Sequence, residues 1–293
     1  MGGMAAHTHD DVDWAARLSG MRRLDELESA ATAEVAGRLT RNLGAGATVV
    51  DVGSGAGGMS AALAASLRAR GGGTVVAVDA IDELLAAARD TAREAGGDVV
   101  TVDGVVADLG TEPLAQLVEP ADLVWASAVV HHLPDQQAAV DRLAAALRPG
   151  GLLAIAEGGP GVRCLPWDLG VGRPGLELCL LGHRDAWFED MRTSMPDAVG
   201  MGYGWNVAVS RAGLSDVTSF TFLVEHPAPA GERVREFVLD HIGGLAERAG
   251  DRMDAEDRDT VARLLDPAAG DHLGRRDDIY LLSARTVYLG TKP

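Results

Sequence analysis

Apolar and polar positions alternate along this chain in two rhythms. From Asp13 to Leu43 the spacing is helical: Trp14, Leu18, Met21 and Leu24 fall on one face, and Leu27, Ala31, Val35 and Leu39 continue it. Beyond Leu43, short unbroken apolar runs alternate with Ala-rich helical stretches. The runs predict strands at Thr48–Val52, Thr74–Asp79, within Val99–Ala107, at Asp122–Ser127 and at Leu152–Glu157. Helices are predicted between them: one reaching Arg68 and stopped by Gly71-Gly72-Gly73, one over Asp82–Glu94 before Gly96-Gly97, and one over Gln136–Leu147. This alternation implies right-handed βαβ units and a parallel sheet covered on both faces, which is why the strands read as continuous apolar runs.

After Glu157 the rhythm breaks. Residues 158–206 are rich in Gly, Pro and aromatic residues and hold one predicted helix, Leu176–Met195. The sheet pattern resumes at Val217–Glu225, two charged helical stretches follow (Gly231–Ala249 and Ala255–Leu265), and Arg285–Gly290 reads as a closing strand. Residues 1–9 show no periodicity and are expected to be disordered. Four segments result: an N-terminal helical segment (1–43), an α/β core (44–157), an insertion (158–206), and the remainder of the sheet with a helical insertion (207–293).

The chain has 293 residues and a formal net charge of −17, and its Arg pairs form no basic patch. A nucleic-acid backbone would be repelled by that field, so nucleic-acid substrates are disfavoured. The two cysteines, Cys164 and Cys179, give neither a disulfide framework nor a metal-ligand spacing. There is no signal-peptide pattern and no apolar run long enough for a membrane span, so a cytoplasmic location is expected.

The chemistry concentrates at the predicted strand ends. Val49-Val50-Asp51-Val52-Gly53-Ser54-Gly55-Ala56-Gly57-Gly58 reads as strand, glycine turn and helix start, and Gly53, Gly55 and Gly58 satisfy G-x-G-x-x-G. That turn suits a nucleotide-like ligand, but Asp51 would be a like charge beside a pyrophosphate and an attraction for a cation. S-adenosylmethionine (SAM) carries a sulfonium, an ammonium and an adenosine but no phosphate, so Asp51 favours it over a nicotinamide dinucleotide. Asp79, next to Ala80, stands 21 residues beyond Gly58 at a strand end and suits ribose hydroxyls. Asp108-Leu109 follows the third strand, where a carboxylate can accept from an exocyclic amine while its neighbour covers an adenine face. Ser127 ends the fourth strand ahead of His131-His132-Leu133-Pro134-Asp135.

VVDVGSGAGG, VVAVDAID, VVADLG, DLVWASAVVHHLPD and Arg148-Pro149-Gly150-Gly151-Leu152 together resemble class I SAM-dependent methyltransferases of the small-molecule type, continuously from Thr48 to Glu157. The resemblance implies a Rossmann-like doubly wound seven-stranded sheet of order 3-2-1-4-5-7-6 with the last strand antiparallel. It further implies SAM held by Asp51, Gly53, Ser54, Gly55, Gly57, Asp79, Ala80, Asp108, Leu109 and Ser127, with the Gly53–Gly57 backbone at the methionine moiety. It is compatible with a homodimer. Some methyltransferases place two acids in the loop after strand four to hold a divalent metal; Ala128 and His131 stand there instead, so no metal is expected.

Methyl transfer requires alignment of nucleophile, methyl carbon and sulfur, and a base where the nucleophile is a hydroxyl. His131 is the candidate base, with His132 a structural partner behind it; the alternative is that both pack the loop. Residues 158–206 hold five of the chain's twelve aromatic residues. Trp167, Trp187, Met191, Tyr203 and Trp205 are candidates for a lid enclosing an apolar small-molecule acceptor, with a secondary metabolite as one candidate, and the alternative is plain packing. The N-terminal helix around Trp14, Arg17 and Met21 is placed to fold over the cofactor. Two other readings stay open: a Rossmann oxidoreductase, and a SAM-binding methyltransferase-like protein that catalyses a non-transfer reaction such as a cyclisation.

Overall fold

The computed structural model describes residues 14–293, with side chains from Arg17 onward. The expected disorder of residues 1–9 and the Trp14 side chain lie outside it. The elements in chain order are α1 (Trp14–Leu39), β1 (Ala47–Val52), α2 (Gly58–Arg68), β2 (Gly73–Asp79), α3 (Asp82–Gly96), β3 (Val100–Val106), β4 (Ala121–Ser127), α4 (Gln136–Ala145), β5 (Leu147–Ala156), α5 (Leu176–Ser194), α6 (Trp205–Arg211), β6 (Ser215–His226), α7 (Glu232–Ala249), α8 (Ala255–Leu265) and β7 (Leu281–Thr291). The strands form one seven-stranded sheet of order β3-β2-β1-β4-β5-β7-β6. β1 through β5 pair in parallel, and β7 runs antiparallel to β5, with Leu152 opposite Thr291 and Ala156 opposite Val287. This is the sheet the resemblance implied.

Alternate residues of each strand feed two hydrophobic layers. Val50, Val52, Val76, Val78, Val124 and Ala126 pack on one face with Val140 and Leu143 of α4. Val49, Val75, Leu123 and Trp125 pack on the other with Val35 and Leu39 of α1 and Leu63 and Leu67 of α2. Both faces of the central strands β1, β2 and β4 are therefore dry, as continuous apolar strands require. Local signals set the helix starts. Asp135 caps α4 by accepting from the Ala138 amide at 2.9 Å, and Asp254 caps α8 by accepting from the Asp257 amide at 2.9 Å.

Three elements depart from the sequence expectation. α6 was not expected, because seven residues show no helical period. β5 begins at Leu147, ahead of its apolar run, since the Arg148–Gly151 stretch is drawn to Lys292 through the Gly150 amide. β7 begins at Leu281 rather than Arg285.

Contacts group the described residues into two compact units: those up to Gly158 with 195–222 and 285–293, and residues 159–194 with 223–284. This division runs differently from the motif-based one, since 195–206 belongs to the first unit. The second unit has its own apolar interior, from Leu176 and Leu180 of α5, Val238, Ile242 and Leu245 of α7 and Leu264 of α8. A buried Glu177 there accepts from the Cys164 amide at 2.6 Å and from Arg163 at 2.8 Å. Among the described residues no helix is long and apolar enough to cross a membrane.

Leu153 lies fully buried on β5. Leu153→Ala is expected to cost about 2–5 kcal/mol, read as a lower urea midpoint; an unchanged midpoint would contradict this packing.

Candidate functional site

The site is built at the carboxyl ends of β1, β2, β4 and β5 in the first unit. The glycine turn folds back on β2: the Gly53 and Ser54 amides both donate to the Val78 carbonyl, at 2.8 and 3.1 Å. Gly53 has φ +67°, and a Cβ there would meet Val129 Cγ2 at 2.2 Å; Gly57 has φ +96°, and a Cβ there would meet the Ala88 backbone at 2.5 Å. Only glycine serves at both positions.

Two further amides of the turn are engaged by carboxylates. Gly55 donates to Asp79 Oδ2 at 2.9 Å, and the Ile81 amide donates to Asp79 Oδ1 at 3.1 Å. Gly58, at the start of α2, donates to Asp25 Oδ2 of α1 at 2.9 Å, and Gly57 donates to the Ser54 carbonyl at 2.9 Å. The Met21 methyl of α1 lies against Gly55. α1 thus covers the turn.

Asp51 is the exception to its expected role. Its carboxyl is buried and accepts from Ser60 Oγ at 2.5 Å, so it sits under α2 and not as a bare charge beside the turn. Burial pushes its pKa up to about 7, partly opposed by the Ser60 hydrogen bond. Burial likewise raises the carboxyls of Asp25 and Glu28. Glu28 is paired with Arg285 at 2.7 Å, and Arg285 reaches Ser127 Oγ at 3.4 Å. Four acids, Asp25, Glu28, Asp51 and Asp79, therefore gather at the turn.

A second cluster stands at the ends of β4 and β5. Ala128 is left-handed, with φ +54°, a strained conformation for a residue bearing a Cβ. It turns the chain so that the Val129 and Val130 amides donate to Glu157 Oε1, at 3.1 and 2.8 Å. Glu157 is buried, and its Oε2 lies 2.6 Å from His131 Nδ1. The His131 side chain is 28% exposed, and the His132 ring packs 4.0 Å from it, centroid to centroid.

The family described as "Methyltransferase domain" matches residues 50–153. The ubiquinone biosynthesis O-methyltransferase of Xylella fastidiosa (strain 9a5c) is 31% identical over 206 residues, which cover 65% of this chain and 78% of that one. The chain belongs to the class I SAM-dependent methyltransferases. The same-named protein of strain M23 is 38% identical over 111 residues, 38% of this chain and 42% of that one, so the chain spans less than half the length of that relative. An O-methyltransferase family protein from Burkholderia thailandensis shares the fold, with a TM-score of 0.50 at 17% identity, over 97% of this chain and 60% of that one.

SAM, the cofactor of this methyltransferase family, fits what the turn presents. Ser54 Oγ is buried in the turn with no hydrogen-bond partner among the described residues, and the acids match a cationic ligand. Gly53, Ser54, Gly55, Gly57, Asp79 and Ser127 come together in this methyltransferase unit. Ala80 is exposed beside Asp79. Asp108 turns into its own loop, accepting from the Gly110 amide at 2.8 Å and Thr111 Oγ1 at 3.2 Å, while Leu109 is buried in the core. Trp167, Trp187 and Met191 belong to the second unit, where Trp167 is 62% exposed and Arg248 lies over the Trp187 ring. Tyr203 and Trp205 belong to the first unit and pack against its core. Tyr203 donates to Gln137 Oε1 at 2.9 Å and carries the Arg211 guanidinium over its ring.

Asp25, Glu28, Glu157 and Arg285 were not singled out in the sequence. Glu157 had a usable signal, an acid closing an otherwise apolar strand. The α1 acids had none, because acids on a helix usually mark a solvated face.

The raised Asp51 carboxyl sets a pH dependence. A folded-state pKa above the unfolded value gives stability that is full below about pH 4 and is lost as pH rises through about 7. Asp51→Asn is expected to flatten that decline, so that its stability relative to wild type rises between pH 4 and 7 in chemical denaturation. A pH-independent difference would contradict the burial of a titrating Asp51.

Proposed function

We propose that this chain transfers the methyl group of SAM to an oxygen of an apolar small molecule. Support for the acceptor class comes from the relatives' printed names and from the Glu157–His131 pair, the observation that carries the reading. A hydroxyl must lose its proton as the oxygen attacks; nitrogen and carbon acceptors place different demands on a base. Glu157 is held by two backbone amides and orients the imidazole through Nδ1, so that Nε2 is the basic nitrogen of that tautomer. The bound cofactor supplies an activated methyl on a positively charged sulfur.

The chain's own residues do the rest. Asp79 and Ser127 hold the ribose side, Asp108 and Leu109 the adenine side, and the carbonyls and acids of the glycine turn take the cationic methionine part. Tyr203 and Trp205 supply apolar surface in the first unit. In this reading His131 is the catalytic residue, Glu157 positions it, and His132 supports its ring.

Two experiments test the proposal. Asp79→Ala is expected to weaken SAM binding by roughly 2–4 kcal/mol through loss of charge-assisted hydrogen bonds, measured by calorimetry; unchanged affinity would place the cofactor elsewhere. With methyl-labelled SAM and a panel of phenolic acceptors, wild type should label one or more of them. His131→Ala should lower kcat about 10²–10⁴-fold with SAM affinity retained, and Glu157→Gln should shift the pH profile. SAM binding without label transfer to any acceptor would favour a non-transfer reaction instead.

A further inference from the structure

The second unit holds a side-chain cluster that the methyltransferase assignment does not use. Cys179 and His183 are four residues apart on α5 and share a face, with Cys179 Sγ 3.5 Å from His183 Nε2. Asp257, in the first turn of α8, brings Oδ2 to 3.3 Å from the same sulfur. All three donor atoms lie within 4.8 Å of one another. Asp257 is only 1% exposed, and its Oδ1 has no hydrogen-bond partner among the described residues. A buried carboxylate oxygen without a partner is costly. We propose that Cys179, His183 and Asp257 form a zinc site that ties α5 to α8.

Distances and donor chemistry agree on this. Tetrahedral zinc with bonds of about 2.3 Å to sulfur and about 2.0 Å to nitrogen and oxygen sets its ligand atoms roughly 3.5 Å apart. The sulfur–nitrogen and sulfur–oxygen separations already stand at 3.5 and 3.3 Å. One thiolate, one imidazole and one carboxylate suit zinc and not calcium or magnesium, which take oxygen ligands. Cys179 and His183 are partly exposed, so water can complete the fourth position. On binding, the thiol proton leaves to solvent and the sulfur ligates as thiolate. With the thiol donating to Oδ2, a purely hydrogen-bonded cluster leaves Oδ1 without a partner among the described residues, whereas a metal held by both carboxylate oxygens engages it.

Arg173 is the competitor. Its guanidinium contacts Asp257, lies 3.5 Å from Cys179 Sγ and reaches Asp254 Oδ2 at 3.1 Å. When the metal takes Asp257, Arg173 keeps Asp254. Its positive charge still opposes the metal, so removing it strengthens binding.

Cobalt(II) titration of the full chain tests the site, because a cysteine ligand gives cobalt a sulfur-to-metal charge-transfer band. One equivalent of cobalt should produce that band together with tetrahedral visible absorption, and one equivalent of zinc should abolish both. Cys179→Ser should remove the charge-transfer band, His183→Gln should weaken binding at least tenfold, and Arg173→Gln should tighten it. Absence of the band at stoichiometric cobalt in wild type, or its persistence in Cys179→Ser, overturns the proposal. His183→Gln keeps the test decisive should Cys179→Ser fail to fold: unchanged cobalt affinity in that variant also overturns it.

Discussion

The site depends on how the amides of one glycine turn are occupied. In a phosphate-binding turn these N–H groups point at the ligand and the helix dipole adds to them. Here Gly53 and Ser54 donate to the Val78 carbonyl, Gly55 to Asp79 and Gly58 to Asp25. The protein's own carboxylates hold the places that a pyrophosphate would need, and they leave a concentration of acid beside the turn. Backbone geometry alone admits either a dinucleotide or SAM. The occupancy of its donors separates them.

That constraint couples the parts of the first unit. Asp25 and Glu28 come from α1, so the helix that covers the turn also supplies part of its charge. Arg285 arrives on β7, reaches the sheet end because β7 is antiparallel to β5, and links Glu28 to Ser127. The same sheet end carries Glu157, whose carboxylate fixes the loop after β4 through two amides and His131 through its ring. The glycine turn and the Glu157–His131 cluster are thus built on neighbouring strands with the register β1·β4·β5, and the left-handed Ala128 is where that loop leaves the sheet.

Much of the sheet was legible because burial on both faces forces unbroken apolar runs, and a glycine turn between strand and helix has few other uses. The strand order, the antiparallel β7 and the methyltransferase family agree with the motifs. Asp51 was chosen for the right neighbourhood and the wrong reason: a residue near the end of a strand buried on both faces points into the protein, so its charge is muted by burial and held by Ser60. Asp25 and Gly58 are 33 positions apart, and nothing in local spacing announces such a contact. Glu157 looked like the last residue of a strand. The Cys179–His183 pair had a spacing too common on helices to stand out, and Asp257 joins it from 78 positions away.

Isothermal calorimetry of SAM at pH 7, repeated in buffers of different ionisation enthalpy and set beside a nicotinamide dinucleotide, tests the central claim most directly. Asp51, whose carboxyl burial raises to about 7, predicts that the cation binds and a proton is released, because a nearby positive charge lowers that pKa, while the dinucleotide does not bind. Dinucleotide binding as tight as that of SAM, or SAM binding with no proton release, would contradict the account.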